Sequence, residues 1–73
     1  MTQREIDIAD MQCWVFRLAQ KKWNLSPSQC ADLFENHRLL EYISDCYDIL
    51  HVSGYQRAVE ELEEILRVDG VEV

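Results

Sequence analysis

Ser44, Asp48 and His51 are spaced four and three residues apart, so on a helix they lie along one edge. A serine, an aspartate and a histidine are the parts of a nucleophilic triad. In such a triad, however, nucleophile and base share one hydrogen bond near ~3 Å. With a rise of ~1.5 Å per residue, Ser44 and His51 stand about 10 Å apart along the axis. The geometry therefore argues against catalysis. His51 reads instead as a last-turn residue that caps carbonyls, its protonated form favoured by the helix C-terminus and by Asp48.

Metal ligation would draw on Cys13, Cys30, Cys46, His37 and His51. Structural zinc sites announce themselves by close pairs such as CxxC or HxxxH, and this chain has neither pair. The three cysteines each sit in an apolar helical context and read as reduced core thiols of a cytoplasmic protein. No glycine-rich phosphate loop or nucleophile elbow occurs, and no carboxylate pair is placed to face a cleft. The residues thus assign no catalytic, metal or cofactor-binding position and no small-molecule substrate.

The elements that must hold these side chains are helices. Thr2 with Glu5 is a capping-box pattern, so a first helix begins at Gln3 and runs to about Lys22. Ile8, Met11, Val15, Leu18 and Ala19 form its stripe. Trp14 flanks that stripe, and Phe16 and Trp23 lie round the other side. Ser26, Pro27 and Gln29 start a second helix that runs to about Glu35, with Leu25 and Cys30 placed as a hydrophobic staple. Its apolar residues are Cys30, Leu33 and Phe34, and Asn36 and His37 end it.

The organising stretch is 39–50. At ~100° per residue Leu39, Leu40, Tyr42, Ile43, Cys46, Tyr47, Ile49 and Leu50 fall on one half of a helical wheel. That face predicts a central helix covered on more than one side. Ser53 with Gln56 gives a third capping pattern, leading to a last helix over about 55–68. Its arc of Tyr55, Ala58, Val59, Leu62, Ile65 and Leu66 faces inward. Asp69-Gly70 stops it, and residues 71–73 are expected to fray. The reading is one all-α domain over 1–73, a compact bundle of four short helices around the central one.

Composition narrows the function. Fourteen acidic against seven basic residues give a net charge of −7, which repels phosphate backbones and anionic membranes. The nearest thing to a basic patch, Arg17, Lys21 and Lys22, reads as cations complementing the end of the first helix. A helix-turn-helix regulator is the weakest reading, because the central helix would present Glu41, Asp45 and Asp48 to DNA. No apolar run reaches the ~18 residues of a membrane span, and the start MTQREIDIAD is unlike a secretory signal. Nucleic acid and membrane are thus excluded as expected partners, leaving a protein.

Two surfaces stand out for such a partner. One is the aromatic side of the first helix, Trp14, Phe16 and Trp23, which either is covered in part by a second copy or a partner or roofs the compact bundle. The other is the acidic run Glu60, Glu61, Glu63 and Glu64, which reads as a solvated face or, with the net charge, as one that attracts a basic surface.

The block LLEYISDCYDILHVSGYQRAVEELEEIL resembles the signature half of a family of short bacterial proteins of unknown function. The resembling elements are Leu40 with Tyr42-Ile43, then Tyr47-Asp48, Leu50-His51 and Gly54, followed by an acidic last helix. The LSPSQCADLF segment and the first helix agree in length and pattern. Family members often hold Gly where this chain has Arg38, so the turn before the central helix is expected to differ. Such proteins are often encoded beside larger proteins that look like ADP-ribosyltransferase-type toxins. The resemblance implies an antitoxin or accessory role by direct binding, and it brings no catalytic residues. The expected function is a non-enzymatic interaction module; the alternative is a self-associating domain whose apolar faces close a homodimer.

Overall fold

Thr2 stays extended, its Oγ1 accepting the Glu5 N–H at 3.2 Å while the Glu5 carboxylate accepts the Thr2 N–H in return. Both donors are exposed at a helix start and would otherwise need water. From this cap, in the computed structural model describing residues 1–73, helix α1 runs Gln3–Trp23. Met11, Val15, Ala19 and Trp23 recur every fourth residue and make its buried stripe. At its end Asn24 turns left-handed, φ 56°. The Leu25 N–H then reaches back to the Gln20 carbonyl at 3.1 Å and the Asn24 N–H to Lys21, which closes a Schellman turn.

Helix α2, Pro27–Asn36, starts on the Ser26–Gln29 capping box expected from its sequence. It buries Cys30 and Phe34, with Leu25 packed on the core beside them. His37 ends it, and Arg38 takes the left-handed conformation, φ 54° and ψ 42°. Glycine adopts that conformation without the Cβ crowding an arginine suffers.

The expected central helix is two helices, which makes five in all. Helix α3 spans Leu39–Asp45 and α4 spans Tyr47–Ser53. Cys46 between them leaves helical geometry at φ −106° and ψ 17°. A straight helix over 39–50 would be a rod of about 18 Å, comparable to the short axes of a molecule measuring 34 × 21 × 19 Å. Breaking the rod lets each half meet its own neighbours: α3 lies against α1 and α2, α4 against the last helix. Leu39, Ile43, Tyr47 and Leu50 are buried as the pattern requires. The break leaves Ile49 on the surface, 71% exposed, together with Val52 at 83%.

Helix α5 runs Tyr55–Val68. The expected Ser53–Gln56 cap does not form, because Ser53 is still the last residue of α4 and Gly54 occupies the cap position with φ 95° and ψ 162°. That corner of backbone space belongs essentially to glycine alone. Ala58, Val59, Leu62 and Leu66 are buried, whereas Tyr55 is partly exposed. Gly70, φ 86°, ends α5 in a second Schellman turn, with the Val71 N–H on the Leu66 carbonyl at 2.8 Å. Val71 is thereby packed on the core instead of fraying. The fold is an all-α bundle with α1 as its spine, touching α2, α3 and α5. No helix is long and apolar enough to cross a membrane.

Candidate functional site

The Ser44, Asp48 and His51 constellation is parted by the break at Cys46, Ser44 lying on α3 and the other two on α4. Asp48 is taken up by Arg4 at the far end of the sequence, Nη1 to Oδ1 at 2.8 Å and Nη2 to Oδ2 at 3.3 Å. The fork-to-fork pairing holds the Asp48 carboxyl below the usual carboxylate range. His51 lies flat on Tyr47, ring centroids 5.2 Å apart. The Arg4 guanidinium sits 5.4 Å from the centre of the Tyr47 ring. This network ties the start of α1 to α4.

No three histidine, cysteine, aspartate or glutamate side chains come together as a group that could hold a metal ion. Cys13 is exposed, Cys46 half-buried and Cys30 fully buried. Burial pushes the Cys30 thiol up, which keeps it a neutral packing residue.

The aromatic surface divides into three environments. Trp23 is 7% exposed and belongs to the core, tilted against Phe34 at 6.2 Å. Phe16 is half-buried with its edge on Phe34, centroids 4.9 Å apart. Trp14 alone stands out, 53% exposed, with the Arg17 guanidinium 5.8 Å from the centre of its ring. Trp14 is therefore the member of the three that can meet another molecule.

The acidic run divides in a similar way. Glu63 is largely covered, accepting from the Trp23 indole Nε1 at 2.9 Å and from the Lys22 ammonium at 3.0 Å. Burial raises its pKa, but the Trp23 and Lys22 contacts more than offset this and the carboxyl sits below its ordinary value. Glu61 bonds Arg57 at 3.0 Å and accepts the Tyr42 hydroxyl at 3.4 Å. Glu64 pairs with Arg67. Glu60 is exposed and borders an open groove of about 600 Å³ with Leu18, Lys21, Lys22, Gln56 and Val59. Glu63 thus works as an interhelix tie, and the acidic surface open to a partner is narrower than the run of glutamates implies.

A cleft of about 260 Å³ lies between α1, α4 and the start of α5, lined by Asp7, Asp10, Met11, Tyr47, His51 and Tyr55. It corrects the expectation that no carboxylate pair faces a cleft, since Asp7 and Asp10 both line this one. Asp7 and Asp10 sit three apart on one face of α1, a readable signal, but their meeting with Tyr47 and Tyr55 depends on how the helices dock.

No curated protein and no solved structure matches this chain. A family model described as a protein of unknown function, DUF3791, matches residues 10–68, from the middle of α1 to the last residue of α5. The matched region holds the whole buried core, since Met11 and Leu66 are its outermost members. The chain belongs to the DUF3791 family of proteins of unknown function.

Proposed function

We propose that this chain is a non-enzymatic, cytoplasmic protein-interaction module of bacterial origin, the antitoxin or accessory partner of a larger toxin-like protein. The observation that carries the reading is Trp14. A tryptophan left 53% exposed on the long helix, with an arginine against its ring, is the kind of side chain that dominates binding energy at protein interfaces. The titratable side chains favour the same reading. Asp48, His51, Glu61 and Glu63 are engaged in contacts that hold helices together or order a helix surface. The toxin-like partner is suggested by the family resemblance of residues 39–65.

The test is co-expression of the full chain with the product of the adjacent gene, followed by purification through a tag on one of them. The expected result is a stoichiometric complex that Trp14→Ala weakens by at least about tenfold, as for a hot-spot residue. Failure of the wild-type chain to form any complex contradicts the reading. A homodimer is the second reading, favoured by Ile49 and Val52, which stand exposed one turn apart on α4. Light scattering at micromolar concentration separates the two, since a monomer removes the homodimer.

A further inference from the structure

The cleft between α1, α4 and α5 joins two acidic side chains, Asp7 and Asp10, to a tyrosine whose hydroxyl is unspent. Tyr47 is 9% exposed, yet its hydroxyl makes no hydrogen bond within the chain, whereas the Tyr42 hydroxyl has Glu61. No fully enclosed side-chain nitrogen or oxygen lacks a partner. The Tyr47 hydroxyl is therefore open to solvent, on a side chain that lines the cleft. The ring is packed by His51, centroids 5.2 Å apart, and by the Arg4 guanidinium, 5.4 Å from its centre, so it is held in place with its oxygen unpaired.

The remaining groups set the sign of the ligand. Gln3 donates to Oδ1 of Asp7 at 2.9 Å, which leaves Oδ2 free, and neither oxygen of Asp10 has a partner within the chain. Burial, then the negative charges of Asp7 and Tyr55, raise the Tyr47 pKa. The carboxylate and both phenols are therefore near enough to feel one another. The local cation, Arg4, is neutralised by Asp48. The cleft then offers two carboxylates and the Tyr47 oxygen as acceptors, beside the His51 ring and the Tyr55 phenol.

We infer that this cleft receives a primary ammonium group, the head of a lysine side chain presented by a protein partner. An ammonium carries three N–H donors and no acceptor. That inventory matches Asp7, Asp10 and the Tyr47 oxygen, and the partly exposed Tyr55 ring flanks the lysine stem. Asp7, Asp10 and Trp14 recur at three and four residues along α1, so the cleft is continuous with the exposed tryptophan on one stripe of the helix. The inference rests on the interaction reading above and specifies what the partner brings to it.

The probe is Nα-acetyl-lysine amide, titrated into the 15N-labelled full chain at about pH 7.5, where an unperturbed histidine is mostly neutral. Binding in the millimolar range is expected, with saturable shifts at Asp7, Asp10, Tyr47 and Tyr55. Tyr47→Phe keeps the buried ring and removes only the oxygen; Asp10→Asn removes one charge at an exposed position. Each should weaken binding by about tenfold, the size of a hydrogen bond to a charged group, and leave the rest of the spectrum in place. The Nε-acetylated analogue, which has no charge, should not bind.

Shifts that fail to saturate, equal binding of the acetylated analogue, or unchanged affinity in Tyr47→Phe each overturn the inference. The same variants separate it from the broader reading. A captured partner whose affinity for the Tyr47→Phe chain is unaltered sinks the cleft alone. A cleft that binds the lysine amide in a chain that captures no partner sinks the interaction reading alone.

Discussion

Replacing Arg38 with glycine should make the protein more stable. Arg38 sits at φ 54° and ψ 42°, where an L-residue with a Cβ is disfavoured by ~1–2 kcal/mol. Glycine removes that cost but brings roughly 0.5–1 kcal/mol of extra freedom in the unfolded chain. The side chain itself contributes little. Its nearest ionic contact, Glu41 at 3.9 Å, is between two mostly exposed groups, and such pairs are worth close to nothing. The net expectation is a gain of about 0.5–1 kcal/mol. For a domain of this size that raises the thermal midpoint by roughly 3–6 °C.

Thermal and urea unfolding followed by the helical circular-dichroism signal measure it. Arg38→Ala is the control, because alanine keeps the Cβ and should leave stability within ~0.5 kcal/mol of the parent. A glycine variant no more stable than the parent refutes the backbone argument. So does an alanine variant that gains as much as glycine, since that would place the effect in the lost charge.

Four further outcomes follow from the same geometry. Gly54→Ala should lose about 1–3 kcal/mol although a Cβ there meets nothing within 4 Å, because the cost lies in φ 95° and ψ 162°; urea unfolding reads it. Glu63→Ala should lose about 2 kcal/mol by stranding the Trp23 indole N–H, and quenched tryptophan fluorescence on unfolding reports the same transition. The Glu63 carboxyl lies below its ordinary 4.5 in the folded state. Its contribution is therefore fully present above that value and is lost as pH falls through the folded one; Glu63→Gln should flatten the acid limb of a stability–pH curve. Cys30 should react with a thiol reagent far more slowly than Cys13, being buried with its thiol pushed up, and mass spectrometry of the partly labelled chain gives the order.

Helix starts were legible because capping is local. Thr2–Glu5 and Ser26–Gln29 each announce a helix within four residues, and both form as spaced. The buried stripe of α1 and the end of α5 at Gly70 follow for the same reason. What the sequence hid depends on packing between distant segments. The break at Cys46 has no proline or glycine to mark it, and it arises because α3 and α4 have different neighbours. It moved Ile49 from the expected core to the surface, and it let α4 run through Ser53, displacing the cap expected there.

The candidate surfaces were half legible for a related reason. Trp14, Phe16 and Trp23 read as one aromatic side, but the docking of α2 and α5 covers Trp23 and part of Phe16. Glu63 looked like solvated charge until a contact 40 residues back, with Trp23, accounted for it. The Arg4–Asp48 pair spans 44 residues, and no spacing rule reaches that far. The cleft around Tyr47 joins the locally readable Asp7 and Asp10 to α4 and α5 through such meetings.

We propose that Trp14 and the acidic cleft beside it meet a protein partner. Size-exclusion chromatography with light scattering on the full chain co-expressed with the adjacent gene product tests it most directly. The expected result is a complex of defined mass that Trp14→Ala disrupts while the variant chain stays folded. A wild-type chain that elutes alone, or a complex that forms equally well without Trp14, contradicts it.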